Sequence, residues 1–236
     1  MEKKRLGIIG GMGPLASAQF YERITNHTFA QNDQHHINIV VSSHATLPDR
    51  TALILNGNGH EFLEAVEEDI KLMEYAQVGH ITIPCNTAHY FYDELQKQTA
   101  IPIINMVEET MLEIIRTFGE NQKVGILATM GTIQSKVYEK YANKLGLQLI
   151  KPNESEQQLV MDAIYAVKAG NFNYLQEIEK LLKKMNEEYG CVVSILACTE
   201  LSLFDLKDEY KAISIDAMDV LVKQSILKSG YKVKES

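Results

Sequence analysis

The chain predicts an α/β fold of parallel sheets built as two pseudo-symmetric lobes. Three observations carry this expectation. Strand and helix signals alternate along the 236 residues, the alternation restarts near residue 123, and each half opens on an apolar run that ends in a Met-Gly turn. Strands joined by helices pair in parallel and are covered on both faces.

RLGIIG (5–10) is a short apolar run closed by glycines, read as a buried strand. Pro14 stands where a helix can begin, and the helix continues through LASAQFYERITNHTFA. INIVVSS (37–43) is a second strand, and residues 60–76 carry apolar side chains at helical spacing. HITIP (80–84) is a third strand, followed by a helix to about residue 98, and IPIINMV (101–107) is a fourth strand. The second half repeats the pattern with a strand at 123–129, a helix to residue 145 and helices at 155–169 and 172–189. A strand at 191–197 and a final helix at 217–229 complete it. The expected division is a first lobe at 1–106, completed by a C-terminal helical segment at 214–236, and a second lobe at 107–213.

The restart is visible in the residues themselves. Aligning 7–17 with 125–135 gives five identities in eleven positions without a gap. A second echo pairs Thr82-Ile83-Pro84-Cys85-Asn86-Thr87 with Ile195-Leu196-Ala197-Cys198-Thr199-Glu200, a strand running into a cysteine and a polar turn. The cysteines follow their opening glycines by 78 and 73 residues, as a duplicated unit would place them. Ligands of parallel α/β sheets bind at the carboxyl ends of the strands, so the duplication directs both cysteines and both glycine turns to one inter-lobe cleft.

Composition narrows the classes. The net charge is -8 and no dense Lys/Arg tract occurs, which argues against nucleic acid. The basic N-terminus precedes an apolar stretch too short and glycine-broken for a signal peptide. No run approaches the roughly 18 apolar residues of a membrane span, so no membrane partner is expected. Three cysteines make no disulfide framework, and a cytoplasmic protein with reduced thiols is expected. His27, His35, His36, His44, His60 and His80 show no ligand spacing with the cysteines, and no metal is expected.

Cys85 and Cys198 each sit between a strand and an expected helix. A helix N-terminus lowers a thiol pKa from about 8.5 and readies it for chemistry. Cys191 opens its strand at the other end and reads as a packed apolar residue. Asn86, Thr87, Thr129, Thr132 and Thr199 fall at the predicted cleft, as helix caps or as donors to a ligand.

GIIGGMGPLAS (7–17), PCNTAH (84–89) and ACTEL (197–201), in this order, resemble the aspartate/glutamate racemase family and specifically its aspartate racemase branch. The resemblance implies two Rossmann-like lobes, an active site between them, no cofactor, a homodimer, and one catalytic cysteine per lobe, here Cys85 and Cys198. Racemisation removes a proton from one face of the α-carbon and delivers one to the other. Two fixed bases, one thiolate and one thiol, do this without a swinging group. Charge developing on the substrate carboxylate then calls for donors at the cleft, the role given to Asn86, Thr87, Thr129, Thr132 and Thr199. The resemblance also matches Arg50 of LPDRT and Lys168 of AVKAG to a pair that holds the distal carboxylate of a small anionic amino acid, with Met12 alongside it. Thr199 and Glu200 stand where glutamate racemases tend to carry a histidine, which makes Glu200 a candidate for tuning Cys198.

Other readings compete. Glutamate or broad-specificity racemisation is one alternative, though some relatives of broad range have lost one cysteine; hydantoin racemases, isomerases or decarboxylases of the same fold share the cysteine positions but usually lack an Arg50/Lys168 pair. Gly11-Met12-Gly13-Pro14-Leu15-Ala16 fits a dinucleotide fingerprint, but the second strand ends in Ser43 and His44 rather than in a ribose-binding acid. His89, four residues after Cys85, suits a Cys/His hydrolase or a tuning role. An inactive anion-binding module leaves the thiol pair without purpose.

Overall fold

The structure is a computed structural model and describes residues 2–234. The first half runs β1 (Leu6–Gly10), α1 (Pro14–His27), β2 (Ile39–Ser43), α2 (Arg50–Asn56), α3 (His60–Ala65), α4 (Glu67–Tyr75), β3 (His80–Thr82), α5 (Tyr92–Lys97), β4 (Ile103–Ile104) and α6 (Met106–Phe118). The second runs β5 (Lys123–Ala128), α7 (Met130–Ser135), α8 (Val137–Lys144), β6 (Gln148–Ile150), α9 (Glu154–Lys168), α10 (Leu175–Glu187), β7 (Val193–Ala197), α11 (Asp208–Lys211), β8 (Ser214–Asp216) and α12 (Ala217–Lys228).

Two four-stranded sheets form, ordered β2-β1-β3-β4 and β6-β5-β7-β8, with every pairing parallel. The orders are the same when corresponding strands are exchanged, so the repeat in the sequence is a repeat in topology. In each sheet the first and third strands lie side by side, and their crossovers leave in opposite directions. That central pair is the switch point where α/β sheets bind ligands. The glycine turn after β1 and the cysteine after β3 both emerge there, as do Thr129 after β5 and Cys198 after β7.

The central strands are buried along almost their whole length, which explains their unbroken apolar runs. One core crosses both sheets: Leu6 and Ile8 of β1 pack in the same cluster as Val124 and Ile126 of β5, with α1, α6, α8 and α12 contributing. Separate outer cores lie beneath α3 and α4 in the first lobe and beneath α9 and α10 in the second.

Several elements differ from expectation. The helix expected at 60–76 is two helices meeting at Val66. The helix expected up to residue 145 breaks at Lys136, whose φ of 55° is left-handed. Only Ile103–Ile104 of 101–107 is strand, because Asn105 accepts from the Glu108 amide and starts α6. Strands β6 and β8 went unpredicted: each has three residues at a sheet edge with no fully buried position, so neither leaves an apolar run. Residues 214–216 were expected with the C-terminal segment of the first lobe; they pair with β7 in the second sheet, and the helix begins at Ala217.

Candidate active site

The glycine turn after β1 is shaped by close packing. Gly11 has φ +90°, and a Cβ there would lie 2.4 Å from the carbonyl carbon of His44. Ser17 ties the turn from inside α1: its Oγ accepts from the Gly11 amide at 2.8 Å and donates to the Gly13 carbonyl at 2.8 Å. Met12, between them, is delivered to the wall of a small cavity of about 20 Å³. Gly131, the matching glycine of the second half, allows α7 to touch α2; a Cβ there would lie 2.9 Å from the Thr51 Cα.

The cavity is walled by both halves. Met12, Arg50, Cys85, Asn86, Thr87, Thr129, Lys168, Cys198, Thr199 and Glu200 all line it. Of the residues expected at the site, Thr132 and His89 are not on this wall. Asp49 and Thr51, beside Arg50 in LPDRT, are on the wall and were not foreseen; their adjacency to Arg50 was the available signal. A wider vestibule of about 240 Å³ shares Asp49, Arg50, Lys168 and Glu200 with the cavity and adds Leu15, Leu47, Val167 and Leu203.

Cys85 and Cys198 are free thiols, each 6% exposed. The helix expected after Cys85 opens as a 3-10 turn, Thr87–Phe91, and runs on into α5, while Cys198 is followed only by the 3-10 turn Leu201–Leu203; a 3-10 turn carries far less dipole than an α-helix. The expected lowering of the thiol pKa is reversed at Cys198. Burial pushes it well above the usual thiol value, and Glu200 pushes further; Lys168 acts in the opposite sense. Cys198 Sγ donates to Glu200 Oε2 at 2.9 Å. Cys191 is packed in the outer core of the second lobe, and burial raises its thiol to about 11.

Asn86 is aimed by the opposite lobe. Tyr138 of α8 donates its hydroxyl to Asn86 Oδ1 at 2.5 Å, and Asn86 Nδ2 is buried without a partner among the described residues. The hydroxyls of Thr87, Thr129 and Thr132 lie 3.0, 3.0 and 3.1 Å apart in a closed triangle spanning both lobes. Three hydroxyls hold three protons, and a closed ring uses each once, so one bond must open before the ring can donate to a ligand. Thr132 is fully buried and supports the other two from behind. Thr199 Oγ1 donates to the Pro84 carbonyl at 3.4 Å, a further link between the cysteine turns.

Arg50 is not an exposed loop residue. It opens α2, is 7% exposed, and donates from Nη1 to the carbonyls of Leu47 and Pro48, while its buried Nε has no partner among the described residues. Asp49 also caps α2 through the Ala52 amide at 2.8 Å. Lys168 ends α9, whose start is fixed by a reciprocal Asn153–Glu156 capping box and whose Gln157 donates to the Ala128 carbonyl at 2.9 Å. Burial alone would lower the Lys168 pKa; Glu200 first, then Cys198, Cys85 and Asp49, hold it above the usual lysine value.

His89 serves the backbone. Met106 N donates to its Nε2 at 3.1 Å, so the ring is protonated at Nδ1, which donates to the Cys85 carbonyl at 2.9 Å. The bond is to the carbonyl of Cys85, not to its thiol. Among the described residues no group of three or more His, Cys, Asp or Glu side chains could hold a metal ion. No helix among them is long and apolar enough to cross a membrane.

Two like parallel sheets, with a polar cavity between the turns that leave their central strands, define a two-lobed α/β protein of the kind seen in aspartate and glutamate racemases. Residues 9–225 match the family described as Asp/Glu/Hydantoin racemase, and the chain belongs to it. A broad specificity amino-acid racemase of Bacillus subtilis (strain 168) is 30% identical over 205 residues, covering 84% of this chain and 86% of that one. The structure of the Picrophilus torridus aspartate racemase superposes with a TM-score of 0.80 at 27% identity, over 98% of this chain and 96% of that one. A Campylobacter jejuni glutamate racemase shares the fold with a TM-score of 0.64 at 19% identity, over 98% and 88% of the two chains. Membership of a racemase family supports an isomerase.

Proposed function

We propose that the protein is a cofactor-independent aspartate racemase in which Cys85 and Cys198 exchange one proton across the substrate α-carbon. The observation that carries this reading is the meeting of two thiols, from matching places in the repeat, on one cavity wall with Arg50 and Lys168. One thiolate takes the α-proton while the other thiol supplies a proton to the opposite face, and the roles exchange for the other enantiomer. The Nδ2 of Asn86, unpartnered and held by Tyr138, donates to the α-carboxylate as it gains charge. Thr87 or Thr129 turns out of the hydroxyl ring to add a second bond. Arg50, with its buried Nε unused, and Lys168 bind the distal carboxylate.

A second reading, broad specificity, is favoured by the name of the Bacillus subtilis relative and by the apolar side chains of the vestibule, which leave room for substrates larger than aspartate. Incubation in D2O with L-aspartate, L-glutamate, L-alanine and L-leucine, each without cofactor, separates the two. α-Deuteration and the D-enantiomer appear with aspartate alone if Arg50 and Lys168 set specificity. Equal turnover of leucine supports the broad reading, and no exchange with any of them sinks both. Replacement of either Cys85 or Cys198 by Ala abolishes racemisation; full activity in both single variants refutes the pair.

A further inference from the structure

Glu200 is 3% exposed, and its carboxylate is held at the cavity wall rather than in solvent. It is not a helix cap: no side-chain cap bond joins it to the 3-10 turn that follows. One oxygen, Oε2, accepts a hydrogen bond from the Cys198 thiol at 2.9 Å. The other, Oε1, is buried without a partner among the described residues, and a Cβ on Gly13 would lie 3.2 Å from it. Lys168 lines the same wall, and Glu200 Oε1 takes no hydrogen bond from it among the described residues. A buried carboxylate lacking a full complement of donors keeps a strong claim on the one proton within reach.

We propose that Glu200 is a positioning residue that holds the proton on Cys198, so that Cys198 enters the reaction as the proton donor of the pair. The proposal rests on the racemase reading of the two cysteines. A two-base racemase works only with one thiol and one thiolate; both protonated or both ionised is inactive. Environments that push two neighbouring titrations apart widen the pH range in which the working form predominates. Glu200 provides that separation from one side only, since the position matching it in the first half is Thr87, which carries no charge. In the forward step the α C–H bond breaks and its proton passes to Cys85 Sγ. The Cys198 S–H bond breaks and its proton forms the new C–H bond on the opposite face. The enzyme is left with a Cys85 thiol and a Cys198 thiolate beside Glu200; the starting form returns when Cys85 gives up a proton to solvent and Cys198 takes one from it, or when the reverse reaction moves both back. The other groups facing Cys198 are Lys168 from α9, Arg50 and Asp49 at the start of α2, Cys85 across the cavity, and Tyr138 of α8. Of these Lys168 opposes Glu200, and burial of the thiol reinforces it.

The test needs no substrate. The full-length protein is treated with iodoacetamide across a pH series, and alkylation at Cys85 and Cys198 is quantified separately by peptide mass spectrometry. In Glu200→Gln, which keeps the shape and an acceptor but removes the charge, the Cys198 midpoint falls by about one pH unit, so that alkylation near neutrality is about tenfold faster. The Cys85 profile is the same in both proteins. The same Cys198 midpoint with and without the charge overturns the proposal. A second measurement uses the unmodified protein alone: with 13C-labelled cysteine, the Cys198 Cβ resonance titrates above the ordinary thiol value of about 8.5, and a midpoint at or below it overturns the proposal. In racemisation assays the alkaline limb of the pH–rate profile moves to lower pH in Glu200→Gln. A uniform loss of rate with an unmoved limb marks a merely structural role. Failure of racemisation in the unmodified enzyme, with both thiol measurements as expected, would fault the racemase reading instead.

Discussion

Asn86 and Tyr138 are 52 residues apart in the chain and 2.5 Å apart in the fold. The pairing leaves the amide nitrogen facing the cavity, and removing the phenol frees the amide to flip. Tyr138→Phe leaves a buried acceptor unpaired, at a cost of about 1–3 kcal/mol in stability. It lowers kcat more than it raises KM if Asn86 bonds mainly to the charge formed during reaction. Steady-state kinetics with a denaturation curve separate the two effects. His89 gives a pH prediction. Burial is the largest influence and lowers its pKa, against the neighbouring Cys85 and Ile104 carbonyls, which favour the charged ring. The unfolded chain therefore binds this proton more readily, and the stability from neutral His89 is complete above about pH 6.5 and lost as the pH falls below it. Urea midpoints measured between pH 7.5 and pH 5 fall in the native protein, and they fall less steeply in His89→Gln.

At the scale of elements, the glycine turn is the most constrained backbone near the cavity. Gly11→Ala meets both a left-handed φ and the His44 backbone, and we expect a loss of at least about 3 kcal/mol. Gly57 has φ +72° and nothing within 4 Å of an added Cβ, so Gly57→Ala carries the conformational cost alone, about 1–2 kcal/mol. Thermal unfolding of the two variants isolates the clash; equal losses would show that His44 yields. The elements that frame the cavity were legible because β1, β5 and β7 are continuous buried runs ended by distinctive turns. The edge strands β6 and β8 were not, since three half-exposed residues leave no pattern to read. The cysteines were legible from their echoing places in the repeat. The surroundings of Cys198 were not: Glu200 is two residues away in sequence, but the direction of its side chain depends on the turn, and the turn is 3-10.

The whole molecule is held by contacts that disregard the division into halves. Arg23 of α1 donates to Asp216 at 2.8 Å and to Asp219 at 2.6 Å, and it also bonds the Ser202 carbonyl. Asp216 in turn accepts from Ser202 Oγ at 2.6 Å and caps α12 through the Met218 amide. Arg23→Gln strands a nearly buried carboxylate at this junction. A loss of about 2–3 kcal/mol is expected, near the lower end for broken buried pairs because both side chains retain some exposure. A change below about 0.5 kcal/mol in the urea midpoint analysis would show that desolvation already cancels the pair. The core that runs from Leu6 to Val124 also bears on access to the cavity. Lobes that share one core do not swing apart as separate bodies, so passage falls to the side chains around the vestibule.

The matched strand order of the two sheets has a consequence in symmetry. Two identical half-chains related by a two-fold axis would give their cysteines identical neighbours, and neither thiol could be told from the other. A single polypeptide that carries both copies is released from that equality. Thr87 and Glu200 occupy corresponding places in the two halves, and each was free to become what the other is not. Substrates with mirror-image forms are thus handled by a protein whose two like-handed halves differ beside the thiols, at Thr87 and Glu200.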